Sequence, residues 1–381
     1  MQYRSFIKAP GLKISALGMG MMRLPTVGGD ESKIDEEAAL PLVQAALDAG
    51  VNYFDTAWPY HKGASEAFTG KALRELKAGP EVYVATKAPV WEIKRADDWE
   101  RYLDMQLSRL GRVRIDFYLV HALNAGRWET TKLTDGLKFL AKAKADGRIG
   151  LVGFSFHDAL PVFKDIIDGW NGWDFCQVQF NYLDEEFQAG SAGIEYAASR
   201  SVSSIVMEPL RGGALAKVPD EVLRIFAGYG RPRMAAEWAL RHVLDREEVV
   251  TVLSGMNALE QLWENAAVAD AARMNALTRR ERETLEAARD WFRARMPVPC
   301  TGCGYCKPCP AGVAIPETFE LWNAAVAFGG KEDKARWYRD SYAAKGQGAE
   351  ACVNCGACLP KCPQGIAIPE RLVEAHRELS S

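Results

Sequence analysis

The sequence predicts an α/β protein, a (β/α)8 TIM barrel followed by a small, mainly helical domain organised by cysteines. Three observations carry this. Short apolar strand patterns alternate with helical ones eight times, the count that closes a parallel sheet into a barrel. An open doubly wound sheet would want a Gly-x-Gly-x-x-Gly turn after its first strand, and Gly18-Met19-Gly20-Met21-Met22 is not one. Eight of the nine cysteines fall between residues 300 and 362, beyond the alternating segment.

A hairpin opens the chain, Tyr3-Phe6 and Leu12-Ser15, with Pro10-Gly11 as the expected turn. The eight strands that follow are predicted to end near Gly20, Asp55, Lys87, His121, Ser155, Asn181, Glu208 and Ser254. Helical spacing is clearest over 97–110, where Trp99, Leu103, Leu107 and Leu110 share a face. A helix over 65–77 is expected to stop at Gly79-Pro80, and Pro41 suggests that the first barrel helix starts there. The last barrel helix reads over 258–273. Thr278 and Glu281 then have the spacing of a capping box, opening a charged helix that runs to Arg295 and is broken by Met296-Pro297-Val298-Pro299. The expected organisation is a barrel over 1–275, a connecting helix over 276–296 and a cysteine domain over 297–381.

Length and charge narrow the function classes. At 381 residues the chain has room for a barrel core and an appendage. A net charge of −3 with mixed signs leaves no basic face, so neither nucleic acid nor a membrane is expected as a partner. Met1-Gln2-Tyr3-Arg4-Ser5-Phe6 lacks the layout of a secretion signal and no apolar run is of spanning length, so a cytoplasmic protein is expected. Clustered cysteines in such a chain point to metal, not disulfides, while Cys176 in an apolar strand reads as core.

Cys300, Cys303, Cys306 and Cys309-Pro310 form C-x2-C-x2-C-x2-C-P, and Cys352, Cys355, Cys358 and Cys362-Pro363 form C-x2-C-x2-C-x3-C-P. The second is the run that holds a [4Fe–4S] cluster in bacterial ferredoxins; the first is one residue shorter before its last cysteine. Ala314-Ile315-Pro316-Glu317 recurs as Ala367-Ile368-Pro369-Glu370, an internal duplication. Zinc ribbons use two separated C-x2-C pairs instead, which favours two [4Fe–4S] clusters over zinc. In two-cluster ferredoxins the fourth cysteine of each run serves the other cluster. Cys300, Cys303, Cys306 and Cys362 are therefore assigned to one cluster, and Cys352, Cys355, Cys358 and Cys309 to the other. The insert 316–350 reads as helical, with Phe319, Trp322, Val326, Trp337 and Tyr338 packing, and resembles a helical ferredoxin-like domain.

Three consecutive strand ends deliver Asp55, Lys87 and His121 to one rim, and Tyr60 follows Asp55 in the loop. Singly these read as a cap, an exposed strand end and a core histidine. Together, on the rim where such barrels carry chemistry, they suit carbonyl reduction. Hydride reaches carbon while an acid protonates oxygen. Tyrosine, with an ordinary pKa of about 10, needs a neighbouring ammonium to lower it. An Asp holds that ammonium in place, and a His orients the carbonyl.

On these residues, 1–275 resembles the aldo-keto reductases. Phe54-Asp55-Thr56-Ala57-Trp58-Pro59-Tyr60, followed by Ser65-Glu66 and Gly70-Lys71-Ala72-Leu73, is similar to that family's pattern, as are Ala85-Thr86-Lys87 and Leu119-Val120-His121. Residues 297–381 resemble the ferredoxin appendage of an iron–sulfur-bearing subgroup. The resemblance implies a nicotinamide cofactor, NADP(H) or NAD(H), across the rim, with Tyr60 as proton donor and Asp55, Lys87 and His121 as its catalytic partners. It implies Ser155 and Gln177 on the carboxamide, Gly20 and Met21 at the ring edge, and Met207 under its face. Glu208, Pro209, Leu210, Arg211 and Gly212, with Ser254, Gly255, Met256 and Asn257, would border pyrophosphate and adenosine; Gln261, Glu264 and Asn265 lie on the helix beyond. Gly255 and Gln261 stand where the family's basic residues meet the 2′-phosphate of NADP, leaving both nucleotides open and Arg211 as a substitute. Trp58 and Trp91 read as pocket walls, and Met19, Met21 and Met22 as core and pocket lining.

The implied reaction moves hydride between nicotinamide and a small carbonyl or alcohol substrate. The cluster domain would exchange electrons with a redox partner protein, a ferredoxin or flavoprotein, or serve structure. Two other readings stay open: a nicotinamide-independent oxidoreductase fed by such a partner, and a non-enzymatic redox-responsive regulatory subunit.

Overall fold

Ten strands in the computed structural model, which describes every residue except Thr301, Cys303, Pro363 and Ser381, make one hairpin and one closed barrel. β1 (Tyr3–Phe6) pairs antiparallel with β2 (Ala9–Ser15). The barrel strands are β3 (Leu17–Gly20), β4 (Tyr53–Asp55), β5 (Tyr83–Ala88), β6 (Ile115–Leu123), β7 (Ile149–Phe156), β8 (Phe175–Gln179), β9 (Ser203–Met207) and β10 (Val249–Ser254). Each pairs in parallel with its sequence neighbour, and β10 closes on β3 with Val252 opposite Leu17. Their residues are apolar on both faces because side chains fill the interior while helices cover the outside. Register sets the rim: Gly20 pairs with Asp55, Asp55 with Ala85 and Lys87 with Leu119. The predicted strand ends lie within two residues of the observed ones.

The hairpin closes the barrel floor. Phe6 and Ile14 are buried among Tyr53, Phe117 and Phe175, with the Phe6 ring 5.3 Å from that of Phe117 and 5.7 Å from that of Phe175. Its turn is Ile7-Lys8, not the expected Pro10-Gly11. Pro10-Gly11 lies inside β2, where the register slips between Ser5 and Phe6; a proline without an N–H is tolerated where the ladder is already interrupted.

Helix ends show two further departures. The first barrel helix does not begin at Pro41 but runs through it, Glu36–Asp48, with the Asp35 carboxylate accepting from the Ala38 N–H. Proline there costs only the bond to the Glu37 carbonyl, on the exposed side of the helix. The helix Ser65–Glu75 ends before Gly79-Pro80 because Lys77 takes the left-handed conformation, φ 52°, and the Ala78 N–H reaches back to the Leu73 carbonyl. Helix Ala96–Leu110 buries Trp99, Leu103 and Leu110 as the spacing predicts. Met19 and Met21 are core, but Met22, the next residue along, turns outward and is exposed.

Contacts divide the chain into two compact units: Met1–Asn181 with Ala189–Leu215 and Ala236–Leu277, and Tyr182–Gln188 with Ala216–Ala235 and Thr278–Ser381. In the second, the predicted capping box forms. The Thr278 hydroxyl accepts from the Glu281 N–H and the Glu281 carboxylate accepts from the Thr278 N–H, starting the helix Arg279–Arg293. An Arg233–Glu281 ion pair at 2.6 Å and an Arg289–Glu185 pair tie that helix to Ala216–Ala235 and Tyr182–Gln188. Helices Ile315–Phe328, Lys331–Ser341 and Ile368–Ser380 enclose a core of Val298, Phe319, Trp322, Tyr338 and Leu372. Trp337 and Val326, expected to pack, are exposed at 59% and 51%. Consecutive helical residues point about 100° apart, so Trp337 cannot face the core that Tyr338 enters. Among the described residues no helix is long and apolar enough to cross a membrane.

Gly70 brings helix Ser65–Glu75 against helix Ala96–Leu110: a Cβ there would stand 2.1 Å from the Leu110 carbonyl oxygen. Gly70→Ala should therefore force two backbones apart and cost about 1–3 kcal/mol, read as a lowered unfolding midpoint of the barrel unit; an unchanged midpoint would contradict this packing.

Candidate active site

Lys87 is completely buried on β5, and its ammonium is fully committed. Nζ donates to Asp55 Oδ1 at 2.6 Å, to the Thr56 carbonyl at 2.8 Å and to the Tyr60 hydroxyl at 3.2 Å. Three N–H groups thus meet three acceptors, all supplied by β4 and the loop after it. Burial works against charge on Lys87, but Asp55 and then Tyr60 outweigh it and hold the ammonium above its ordinary range. Burial likewise drives the Asp55 carboxyl upward against the pull of Lys87.

Tyr60 differs from expectation in one respect. Burial raises the phenol above its ordinary range, and Lys87 offsets this only in part. The ammonium therefore keeps a buried phenol from becoming still weaker as an acid, instead of making it acidic outright. At neutral pH the phenol holds its proton. Since its oxygen accepts from Lys87, the O–H is free to point elsewhere.

His121 stands beside it, with ring centroids 6.0 Å apart and nearly perpendicular. Burial, then the charges of Lys87, His157 and Arg127, push the imidazole well below its usual range, so it is neutral. Its Nδ1 is buried without a partner, which is less costly for a lone pair than for an N–H and favours the proton on Nε2. The next residue, Ala122, adopts φ 51°, and its N–H donates to the Ser155 hydroxyl at 2.7 Å. The β6–β7 register slips there between Val120 and Leu123.

Behind Lys87 lies a second polar layer. Thr86 and Gln106 both donate to Glu66, at 2.7 and 2.6 Å; Gln106 also donates to the Lys87 carbonyl, and Tyr118 to Gln106. Arg109 neutralises Glu66 at 3.1 Å and lies 3.6 Å above the Trp58 ring, which meets Tyr102 edge-on. Ser65 bonds Thr56 and the Met21 carbonyl. Trp58 is therefore held by the outer helix, while Trp91 packs 5.1 Å from His121.

The residues expected around a nicotinamide are gathered on the same rim. Ser155 and Gln177 pair across β7 and β8. The Ser155 oxygen already accepts from Ala122, so its O–H remains to donate; Gln177 Oε1 is buried without a partner, and its Nε2 rests 3.7 Å from Met207 Sδ. An orphaned acceptor beside a hydroxyl donor is complementary to a carboxamide. A Cβ on Gly20 would stand 3.4 Å from the Ser254 carbonyl at the end of β10, and the Met21 N–H bonds the Asp55 carbonyl. Glu208, Arg211 and Gly212 all have positive φ, and with Pro209 and Leu210 they make a tight turn after β9. Asn265 donates to Ser254, and the Gln261 side chain accepts from the Asn257 N–H; Glu264 lies on the same helix. Met256 turns into the core.

Arg23 escaped sequence reading. Cβ atoms placed on Gly255 and Gly212 would stand 3.0 and 3.4 Å from its side chain, so this exposed arginine lies across both loops. No motif marks it; the two glycines that make room were the available signal.

In the second unit one cavity is lined by Cys306, Cys309, Cys352, Cys355 and Cys358. Burial first, then the charges of Cys352, Cys309 and Cys355, raise the Cys358 thiol, so Cys309 joins the second run in space. Cys300 and Cys362 flank the same apolar core, and Cys303 lies outside the described residues. Among the described residues no three ligand-type side chains are close enough to hold a single metal ion. Five thiols border that pocket, the donor type that iron–sulfur clusters take.

Comparison with known proteins agrees with this geometry. Residues 16–279 match the model of the aldo/keto reductase family. The chain belongs to that family. Residues 299–367 match a 4Fe-4S dicluster domain, so this aldo/keto reductase carries a C-terminal iron–sulfur domain. It is 26% identical to L-galactose dehydrogenase of Arabidopsis thaliana, over 68% of this chain and 85% of the relative. With the NADH-specific methylglyoxal reductase of Escherichia coli it shares 24% over 72% of this chain and 96% of the relative. Among solved structures, an aldo-keto reductase of Bacillus halodurans in its holo form superposes with a TM-score of 0.62 at 24% identity, over 76% of this chain and 96% of that one. One from Klebsiella pneumoniae in complex with NADPH gives 0.61 at 19%, over 75% and 94%.

A neutral, depressed His121 has a pH consequence. The unfolded imidazole takes up a proton near pH 6.5 whereas the folded one does not, so its stabilising contribution is present above about pH 6.5 and shrinks as pH falls below it. The His121 ring proton signals in NMR should show no titration between about pH 6 and 8, and His121→Gln should flatten the acid limb of the stability curve.

Proposed function

We propose that this aldo/keto reductase moves hydride between a nicotinamide nucleotide and a small carbonyl or alcohol substrate. The observation that carries the reading is the Asp55–Lys87–Tyr60 chain ending beside a neutral His121. When bound, nicotinamide supplies or removes the hydride, and iron–sulfur clusters pass single electrons. The chain's own residues do the rest. His121 offers the Nε2 proton to the carbonyl oxygen and fixes its direction; Tyr60 delivers its phenolic proton to that oxygen as negative charge develops. Lys87 steadies the phenolate left behind, and Asp55 keeps the ammonium charged. Alcohol oxidation is the reverse, with Tyr60 as base.

Ser155 and Gln177 would hold the carboxamide and Arg23 the phosphates, bridging the Glu208–Gly212 and Ser254–Asn257 loops. The E. coli relative's name specifies NADH and the Klebsiella neighbour was solved with NADPH. With Gly255 and Gln261 contributing no charge, the reading here is NAD(H) with NADP(H) as the alternative. In the cysteine domain we assign two clusters: Cys309 with Cys352, Cys355 and Cys358, as the influence of those three on the Cys358 thiol supports, and Cys300, Cys303, Cys306 and Cys362 for the other, although Cys306 borders the same cavity. The dicluster domain also supports a second reading, an oxidoreductase fed by a ferredoxin or flavoprotein. Anaerobic titration separates them, because NADH or NADPH binds only in the first.

Tyr60→Phe should lower carbonyl reduction by about 10²–10⁴-fold while nucleotide affinity by fluorescence titration is retained; full activity in the variant would remove the acid role. Iron and acid-labile sulfide on anaerobically purified protein test the clusters, and a content matching a single cluster would refute the second.

A further inference from the structure

Arg127 lies in the first turn of helix Ala125–Leu133, just after the strand that carries His121. It was not singled out in the sequence. Its Nη1 donates to the Ala122 carbonyl at 2.8 Å, anchoring the left-handed residue next to His121. Its guanidinium lies 5.3 Å from the Trp91 ring, and the same indole packs 5.1 Å from the His121 ring. The imidazole feels the guanidinium charge. Arg127 is thus at the mouth of the catalytic cluster, with Trp91 between.

Unlike the more deeply buried Arg4, whose guanidinium is met by the Leu244, Arg246 and Val249 carbonyls, Arg127 has a single carbonyl partner. Arg127 is partly buried, and desolvation weakens its hold on its proton, yet among the described residues no carboxylate pairs with it. Arg109, also partly buried, has Glu66, and Arg112 has Asp116. Asp158, the acid on the loop after β7, is occupied by the backbone N–H groups of Ala125 and Ala159. A neutral donor would satisfy the Ala122 carbonyl as well. Guanidinium carries five N–H groups in a planar fork, and one bond to Ala122 leaves four. A partly desolvated cation with spare N–H groups is stabilised by an anion that reaches it, and a planar fork matches a carboxylate through two parallel hydrogen bonds.

We propose that Arg127 binds the carboxylate of a substrate whose carbonyl faces Tyr60 and His121, so that the substrates are oxo acids or the corresponding hydroxy acids. This rests on the carbonyl-reductase reading and specifies its substrate class. Trp91 supports the bound group by stacking against the guanidinium and fixing its plane. Atoms balance as in the parent reaction: hydride adds to carbon, the Tyr60 proton adds to oxygen, and the carboxylate stays unreacted.

The test uses the full chain, purified anaerobically, with NADH and NADPH. Glyoxylate, 4-oxobutanoate and 5-oxopentanoate are each compared with their methyl esters. The native protein should prefer at least one acid over its ester. Arg127→Met should lower kcat/KM about 10–100-fold more for that acid than for its ester, mainly through KM; Arg127→Lys should recover part of the loss. Binding of glutarate by calorimetry, which needs no turnover, should weaken about ten-fold or more in Arg127→Met. Equal losses for acid and ester would make Arg127 merely structural and overturn the proposal, as would unchanged glutarate binding. Preference for a phosphorylated aldehyde over every oxo acid would overturn the carboxylate assignment. Reduction of esters without preference for acids sinks this proposal alone, whereas failure to reduce either class with either nucleotide sinks the parent reading too.

Discussion

One ammonium buried inside a barrel is the constraint from which the rest of the site follows. Lys87 has no access to water, so every one of its protons needs a protein acceptor, and β4 with its loop supplies all three. A buried cation stripped of its carboxylate costs roughly 3–5 kcal/mol, so Asp55 is as much a condition of folding as of chemistry. The Tyr60 hydroxyl is drawn into the same arrangement as third acceptor. A phenol is thereby fixed where a carbonyl oxygen can meet it, and a need for charge compensation becomes catalytic geometry.

The layer behind Lys87 accounts for the residues that follow Tyr60. Glu66 is buried and must be satisfied by Thr86, Gln106 and Arg109, all delivered by β5 and helix Ala96–Leu110. That helix approaches closely enough only because Gly70 has no side chain. Ser65 and Glu66 therefore join neighbouring elements around the C-terminal end of the lysine strand. The motif is a packing and hydrogen-bonding solution that happens to be readable as a string.

Legibility in the sequence followed the same physics. Strand ends were readable because doubly covered parallel strands must be short and apolar, and the polar residue ending each run stands out against them. Cysteine spacing was readable because chelation constrains it. The Ile7-Lys8 turn was not, since neither residue is a turn former and the proline that drew attention sits in an interrupted ladder. Lys77 in a left-handed conformation was hidden for a similar reason: the helix-end bond from Ala78 to Leu73 closes around a lysine, where local preference would assign the turn to Gly79. The Tyr60 phenol shows a subtler limit. Its neighbours were foreseen, but the balance between desolvation and the ammonium depends on depth, which no string of letters states. Arg23 sits in a loop and Arg127 in the first turn of a helix, and only folding shows that one lies over two glycines and the other lacks a counterion.

The hairpin at the barrel floor has its own consequence. With Phe6 wedged among Tyr53, Phe117 and Phe175, the lower end is an aromatic stopper. The vessel is then single-ended, and a proton surrendered by Tyr60 must be replenished through the same opening that admits substrate. Turnover would in that case require the mouth to rehydrate between cycles, coupling acid recharging to product departure.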